Sequence, residues 1–332
     1  MNEQTINLYK QAFNKIMKAQ NILLVTHQRP DGDALSSICA MIEFMKINNK
    51  SFFAYSQDEP AKTFNFLPNI ELINFDVKMK KLPEEQLANF GSFDLIIVLD
   101  CGSVSRTNLG IEISKRQPNQ FVIEFDHHPK ISDYANLEIR DTKISATAEL
   151  VYYFFKINQV RINRNMANCI LTGILTDTAN FLYPSTSEMT VKISSEMMSL
   201  GAKLPQITEN TLRNKSLAAM RLWGKIMSSL QINPKYNFAT TILTKADMAE
   251  HAVDPEELEG ISGFLSNLYG VNGIMLLQES GNGIIRGNLR TSSPDVDLSK
   301  LARMLGGGGH AKASGFTIEG EMVKTEEGWK IK

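Results

Sequence analysis

The sequence predicts an α/β protein in two parts. The first is an N-terminal doubly wound, mainly parallel sheet with helices on both faces, and the second a smaller C-terminal α/β domain on a mixed sheet. Three observations predict this. Continuous apolar runs at residues 22–25, 95–99 and 121–123 have strand length and are rich in β-branched side chains, the habit of strands buried on both faces of a parallel sheet. An amphipathic stretch at 35–47 lies between the first two, where a crossover helix belongs. Beyond residue 232 the style changes to separated strands at 238–243, 273–278, 284–289 and 314–318.

Each element ends in a recognisable signal. The first strand runs into Thr26-His27-Gln28-Arg29-Pro30-Asp31-Gly32-Asp33, the second into Asp100, and the third through Glu124-Phe125 into Asp126-His127-His128. A helix at 167–178 sets Ile170, Leu171, Ile174 and Leu175 on one buried face, with Asp177 near its end. Residues 187–232 read as helical, broken at Gly201 and Pro205 and stopped at Asn233-Pro234, which makes them a connection between domains. The expected division is therefore 1–186, a helical linker 187–232, and 233–332. In the last part Asp254-Pro255-Glu256-Glu257 supplies an N-cap, a proline and acidic residues for a helix that Gly270 closes.

Composition limits the functions. The chain has 332 residues, enough for two ordinary domains, and 43% apolar with 21% charged residues excludes a disordered or fibrous chain. Thirty-five Lys plus Arg against 36 Asp plus Glu leave a net charge of −1, which argues against a protein of long polyanions but leaves a short anionic ligand open. No run approaches the roughly 20 apolar residues of a membrane helix, and residues 1–21 lack a signal-peptide pattern, so a cytoplasmic protein without membrane contact is expected. Cys39, Cys101 and Cys169 are widely spaced with no C-x-x-C, and read as buried small hydrophobes.

The chemistry is expected at the carboxyl ends of the strands, where open α/β sheets bind ligands. His27, Asp31, Asp33, Asp100, Asp126, His127 and His128 all fall there. Carboxylates with imidazoles and no thiolates suit Mn²⁺ better than structural Zn²⁺. Asp31, Asp33, Asp100 and Asp177 would bring four negative charges together, and two divalent cations about 3.5–4 Å apart would neutralise them. Taken singly, Asp31-Gly32-Asp33 is an ordinary turn, with Gly32 allowing it, Asp126-His127-His128-Pro129 could cap a helix, and Asp100 or Asp177 could be a cap or an ion-pair partner. Four such pieces on one sheet edge point to a site. The run Gly306-Gly307-Gly308-Gly309-His310 is either an anion-binding loop or a flexible interdomain loop, and is not a Walker loop. Arg290 is a candidate for clamping a carboxylate or phosphate.

Together these residues resemble the DHH phosphoesterases, named for the triplet Asp126-His127-His128. His27 with Asp31 and Asp33 is similar to the family's first motif, Asp100 to its second and Asp177 in Thr176-Asp177-Thr178 to its fourth. The second half resembles the DHH-associated domain of the subgroup of nanoRNases and phosphatases of 3′-phosphoadenosine 5′-phosphate (pAp). The resemblance implies one Mn²⁺ on His27, Asp31 and Asp100 and a second on Asp33, Asp100, His127 and Asp177, with Mg²⁺ or Co²⁺ as substitutes. It implies that His128 faces the scissile phosphate and that Asp126 orients a histidine. Arg290, Ser292, Gly307, Gly308, Gly309 and His310 would hold the far end of the substrate. The implied reaction is in-line attack by activated water, releasing 5′-mononucleotides from di- to pentanucleotides of RNA or DNA and phosphate from pAp. A homodimer is left open. Rival readings are a phosphodiesterase of cyclic or linear signalling dinucleotides, a family II inorganic pyrophosphatase, a RecJ-type exonuclease, and a nucleotide-binding module with no catalysis.

Overall fold

A computed structural model describes residues 1–75, 90–253, 255–258, 260–281, 283–325 and 328–332. It divides into two compact units, Met1–Arg213 and Asn214–Lys332. Of the expected linker 187–232, two helices fall in the first unit and one in the second, with the boundary after Arg213, and Gln231 already begins a strand.

The first unit runs α1 (Glu3–Lys18), β1 (Asn21–Val25), α2 (Gly32–Ile47), β2 (Ser51–Ser56), β3 (Ile73–Phe75), β4 (Leu95–Leu99), α3 (Gly110–Ser114), β5 (Phe121–Asp126) and β6 (Leu137–Arg140). Four helices follow, α4 (Thr147–Ile157), α5 (Arg164–Asp177), α6 (Glu188–Ser199) and α7 (Leu204–Thr211). Its six strands pair in parallel in the order β3-β2-β1-β4-β5-β6. Strand order reverses between β1 and β4, which makes their carboxyl ends the switch point where such sheets open a crevice.

Burial on both faces explains the unbroken apolar runs. Ile22 and Leu24 of β1 face one core with Ile97 and Leu99 of β4, while Leu23, Val25, Ile96 and Val98 face the other. The first core is the larger and is closed by α1, α2, α4 and α5, with Phe44, Phe125, Phe154 and Phe155 meeting edge-to-face or tilted within it. At about 25 cal/mol per Å² of apolar surface, a ring of this size contributes several kcal/mol to the layer. Cys39, Cys101 and Cys169 are buried thiols within these layers.

The second unit comprises α8 (Leu217–Ser228), β7 (Gln231–Asn233), β8 (Phe238–Leu243), α9 (Lys245–His251), α10 (Ile261–Leu265), β9 (Gly273–Gly281), β10 (Ile284–Arg290), α11 (Leu298–Met304), β11 (Gly308–Gly309), β12 (Ala313–Glu319), β13 (Met322–Thr325) and β14 (Gly328–Ile331). The sheet order is β11-β12-β10-β9-β8-β7, with β8 and β9 parallel and the other neighbours antiparallel, so it is mixed. The single helix expected from Asp254 to Gly270 is not what forms. A 3₁₀ turn at Pro255–Leu258 is separated from α10 by Gly260 in the left-handed region (φ 90°). Asp254, its expected N-cap, lies outside the described residues. No described helix is long and apolar enough to cross a membrane.

Candidate metal centre

Four segments of the first unit meet at the carboxyl ends of β1, β4 and β5. His27 leaves β1 two residues after its end, Asp100 follows β4 directly, Asp126 closes β5, and Asp177 is the last residue of α5. Asp31 is the N-cap of α2 and accepts a hydrogen bond from the Ala34 N–H at 3.1 Å, so the ordinary capping role and a place in the site coexist in one carboxylate. Gly32 does not make the turn expected of it. It is the first residue of α2, and a methyl there would stand 2.4 Å from the Thr176 hydroxyl, so its lack of a side chain lets α5 approach α2. Gly173 acts in the same seam, with Ala148 and the Asp33 carboxylate where its methyl would be.

The side chains form two overlapping groups. In the first, His27 Nε2 lies 3.8 Å from Asp31 and 3.9 Å from Asp100. In the second, His127 Nε2 lies 3.5 Å from Asp177, 3.6 Å from Asp100 and 4.0 Å from Asp33. Asp100 turns one oxygen to each group, Oδ2 to His27 and Oδ1 to His127. Asp100 has φ 61°, a left-handed conformation that costs a residue with a side chain about 1–3 kcal/mol. Its N–H donates to the Phe125 carbonyl at 2.9 Å, and the Thr26 hydroxyl donates to the preceding Leu99 carbonyl at 3.0 Å, which together hold it there.

The donors fit a pair of divalent cations. His27 Nδ1 is 2.7 Å from the Gln28 carbonyl and His127 Nδ1 3.4 Å from the Ile144 carbonyl, which keeps a proton on each Nδ1 and turns the Nε2 lone pair towards the carboxylates. Lone pairs then face lone pairs at 3.5–4.0 Å, an arrangement that a cation between them resolves. Asp31, Asp33 and Asp100 make their ion-pair contacts with histidines, not with lysine or arginine, among the described residues. Burial, then the Asp177 charge, pushes the Asp33 carboxyl up to about 8. Burial and the neighbouring aspartates raise Asp100 well above the usual carboxylate range.

Several supporting residues escaped the sequence reading. The start of α4 holds two ligand candidates at once. The N–H groups of Thr147 and Ala148 donate to Asp33 at 2.5 and 2.9 Å, and the Thr147 hydroxyl donates to Asp100 at 2.7 Å. Asp126 is fully buried and accepts from the Gly102 N–H at 2.5 Å, the His128 N–H at 2.8 Å and His128 Nδ1 at 2.9 Å. Arg140 spans Glu124 at 2.8 Å, Asp126 at 3.5 Å and Glu138 at 2.5 Å, and donates to the His128 carbonyl. Burial works against ionisation of Asp126, but the His128 hydrogen bonds and the Arg140 charge hold its carboxyl down at about 2. These partners have no local signature; only the fold brings them to the strand ends.

In the second unit the remaining candidates gather by themselves. Arg290 ends β10 opposite Ala313 of β12, and Gly309 pairs with Ser314 on the other edge of β12. Gly308 and Gly309 thus form an edge of this sheet, and the glycine run lies inside the second unit and not between the two. Arg290 Nη1 donates to the Leu289 carbonyl at 3.0 Å, while its Nε is buried with no hydrogen-bond partner, a donor left for a ligand. Ser292 is exposed just beyond it, and His310 follows β11 with its N–H donating to the Ala313 carbonyl at 2.8 Å.

Residues 21–174 match the N-terminal domain of the DHH family and residues 235–326 the DHHA1 domain, so the chain carries a DHH domain followed by a DHHA1 domain. Among its relatives, the bifunctional oligoribonuclease and PAP phosphatase NrnA of Thermus thermophilus is 28% identical over 299 residues, covering 90% of this chain and 84% of that one. The protein of the same name from Bacillus subtilis is 28% identical over 321 residues, covering 95% and 91%. A crystal structure of an exopolyphosphatase-related protein from Bacteroides fragilis superimposes with a TM-score of 0.85 at 25% identity, covering 95% of this chain and 92% of the other.

Proposed function

We propose that this chain is a metal-dependent hydrolase of phosphoester bonds that cuts di- to pentanucleotides to 5′-mononucleotides and removes the 3′-phosphate of pAp. One observation carries the reading: two imidazole lone pairs and four carboxylates from four separate segments face one another in two groups that share Asp100. The substrate class rests on the likeness to the oligoribonuclease and PAP phosphatase relatives over nine-tenths of the chain.

In this reading His27, Asp31 and Asp100 hold one divalent cation and Asp33, Asp100, His127 and Asp177 a second. Manganese suits this mixture of carboxylate and imidazole, with magnesium or cobalt as substitutes. Such a pair, when bound, would neutralise the crowded carboxylates and lower the pKa of a bound water. The chain's own residues do the rest. Asp126 fixes Nδ1 of His128 and leaves Nε2 for the substrate, where it donates to a phosphate oxygen and supplies a proton to the leaving oxygen. Water attacks phosphorus in line as the bond to the leaving oxygen breaks, and no covalent bond to the enzyme forms. Arg290, Ser292, Gly307, Gly308, Gly309 and His310 bind the distal phosphate or nucleotide. Three buried thiols suit a cytoplasmic protein.

The test is direct. Purified protein with Mn²⁺ should release mononucleotides from a 5′-phosphorylated dinucleotide and phosphate from pAp, and the Asp33→Ala and Asp177→Ala proteins should lose turnover by orders of magnitude while folded. A wild-type protein that leaves both substrates intact refutes the reading.

A further inference from the structure

We propose that Arg106 is a further catalytic residue of the first unit, its guanidinium holding a non-bridging oxygen of the phosphate under attack; this rests on the phosphoesterase reading above. Arg106 lies six residues beyond Asp100, in a 3₁₀ turn at Val104–Thr107. The turn is fastened to the site from the main chain: the Gln28 N–H, next to His27, donates to the Arg106 carbonyl at 2.7 Å, and the Arg106 N–H donates to the Ser103 carbonyl at 3.1 Å. Its tip is also fixed, because Nη1 donates to the Cys101 carbonyl at 3.2 Å.

That tip stands beside His128. A methyl group on Gly102 would be 3.5 Å from Arg106 Nη1 and 3.5 Å from Cγ of the His128 ring, so the two side chains flank the same gap. Gly102 keeps the gap open, having no side chain, and its φ of 66° is one that other residues rarely adopt.

The contrast with Arg140 gives the argument its direction. Arg140 is taken up by Glu124, Asp126 and Glu138. Arg106 meets no carboxylate within ion-pair distance among the described residues, and its one side-chain hydrogen bond there goes to a main-chain carbonyl. A half-buried guanidinium with donors to spare, next to the histidine that faces the scissile phosphate, is an oxyanion site. Phosphoryl transfer spreads charge over the equatorial oxygens, and the planar fork of arginine binds two of them or one of them twice.

The experiment compares Arg106→Ala and Arg106→Lys with wild type on a 5′-phosphorylated dinucleotide and on pAp with Mn²⁺. Loss of one oxyanion donor should lower kcat about 10²–10³-fold. KM should change far less, and lysine should restore only a minor part because it lacks the fork. Millimolar guanidinium ion should return part of the lost rate to Arg106→Ala. The two diastereomers of a phosphorothioate dinucleotide should react at a different rate ratio in Arg106→Ala than in wild type, which a residue that only braces the turn would not alter. Arg106→Ala with kcat within threefold of wild type overturns the proposal. So does a loss of kcat that comes with a lower unfolding midpoint, an unchanged diastereomer ratio and no response to guanidinium. Wild type inert on both substrates sinks the phosphoesterase reading and this proposal with it, whereas active wild type with an unimpaired Arg106→Ala sinks this one alone.

Discussion

Removing the metal should make the stability of the first unit fall as pH rises, the reverse of the usual behaviour of paired carboxylates. Asp33 has a carboxyl pushed up to about 8 from an ordinary 3.8, by burial and then by the Asp177 charge. Between those values the folded chain keeps a proton that the unfolded chain has lost. The folded state thus binds more protons, and unfolding free energy declines with pH at roughly 1.4 kcal/mol per unit for one group fully in this regime. From pH 5 to 7.5 that amounts to about 3 kcal/mol, and Asp100, raised by the same causes, adds in the same direction. Stability from this source is complete below pH 4 and is lost progressively up to pH 8. Bound Mn²⁺ displaces the protons and should flatten or invert the slope. The assay is urea unfolding in EDTA at a series of pH values, followed by far-UV circular dichroism. The second unit serves as an internal reference, since both tryptophans, Trp223 and Trp329, lie in it and their fluorescence reports its unfolding. A metal-free first unit whose stability is flat or rises between pH 5 and 7.5 would refute the reasoning.

Three substitutions probe the supporting residues. Thr147→Val removes the hydroxyl on Asp100 but keeps the main-chain donor to Asp33, and should weaken Mn²⁺ binding about 10–100-fold by calorimetric titration with little change in folding; unchanged affinity would show that the hydroxyl is idle. Arg140→Met leaves Glu124 and Asp126 buried without their cation, and should cost about 3–5 kcal/mol in urea unfolding at pH 7. Ala179→Gly should stabilise the first unit by about 0.5–1 kcal/mol, because Ala179 has φ 47° and glycine relieves the left-handed strain at a smaller entropic cost; a lower midpoint would mean that the methyl group packs usefully there.

The sheet and the ligand candidates were legible because each is written locally. Buried parallel strands show as unbroken runs such as 95–99, and the residue after such a run, Asp100, is at the crevice by topology alone. What was not legible is set by tertiary approach. Thr147 looks like any first residue of a helix, and its two contacts, to Asp33 and Asp100, reach residues 114 and 47 positions away. Arg140 reads as one residue of an edge strand in alternation, although it gathers Glu124, Asp126 and Glu138. The single helix expected after Asp254 does not form for a local reason: Gly260 in the left-handed region interrupts a stretch whose capping signals are otherwise favourable. The glycine run was ambiguous because glycine carries no apolar pattern from which strand pairing could be read, and its pairing with β12 comes from the backbone.

The supporting contacts explain how a fold can hold four carboxylates so close together before any cation arrives. Repulsion alone would part α2, which carries Asp33, from α5, which carries Asp177. Two features oppose it. The start of α4 presents main-chain N–H groups to Asp33 at the positive end of a helix, and its Thr147 hydroxyl to Asp100, so residues from α2 and the end of β4 are tied to a third element. The α2–α5 seam is the second, where Gly32 against Thr176 and Gly173 against Asp33 and Ser36 let the two helices lie close together within the first core. The large first core therefore supplies what the site consumes. Its packing fixes how far apart the carboxylates stand, and the burial that raises the Asp33 carboxyl disfavours its bare charge, which a divalent cation would offset.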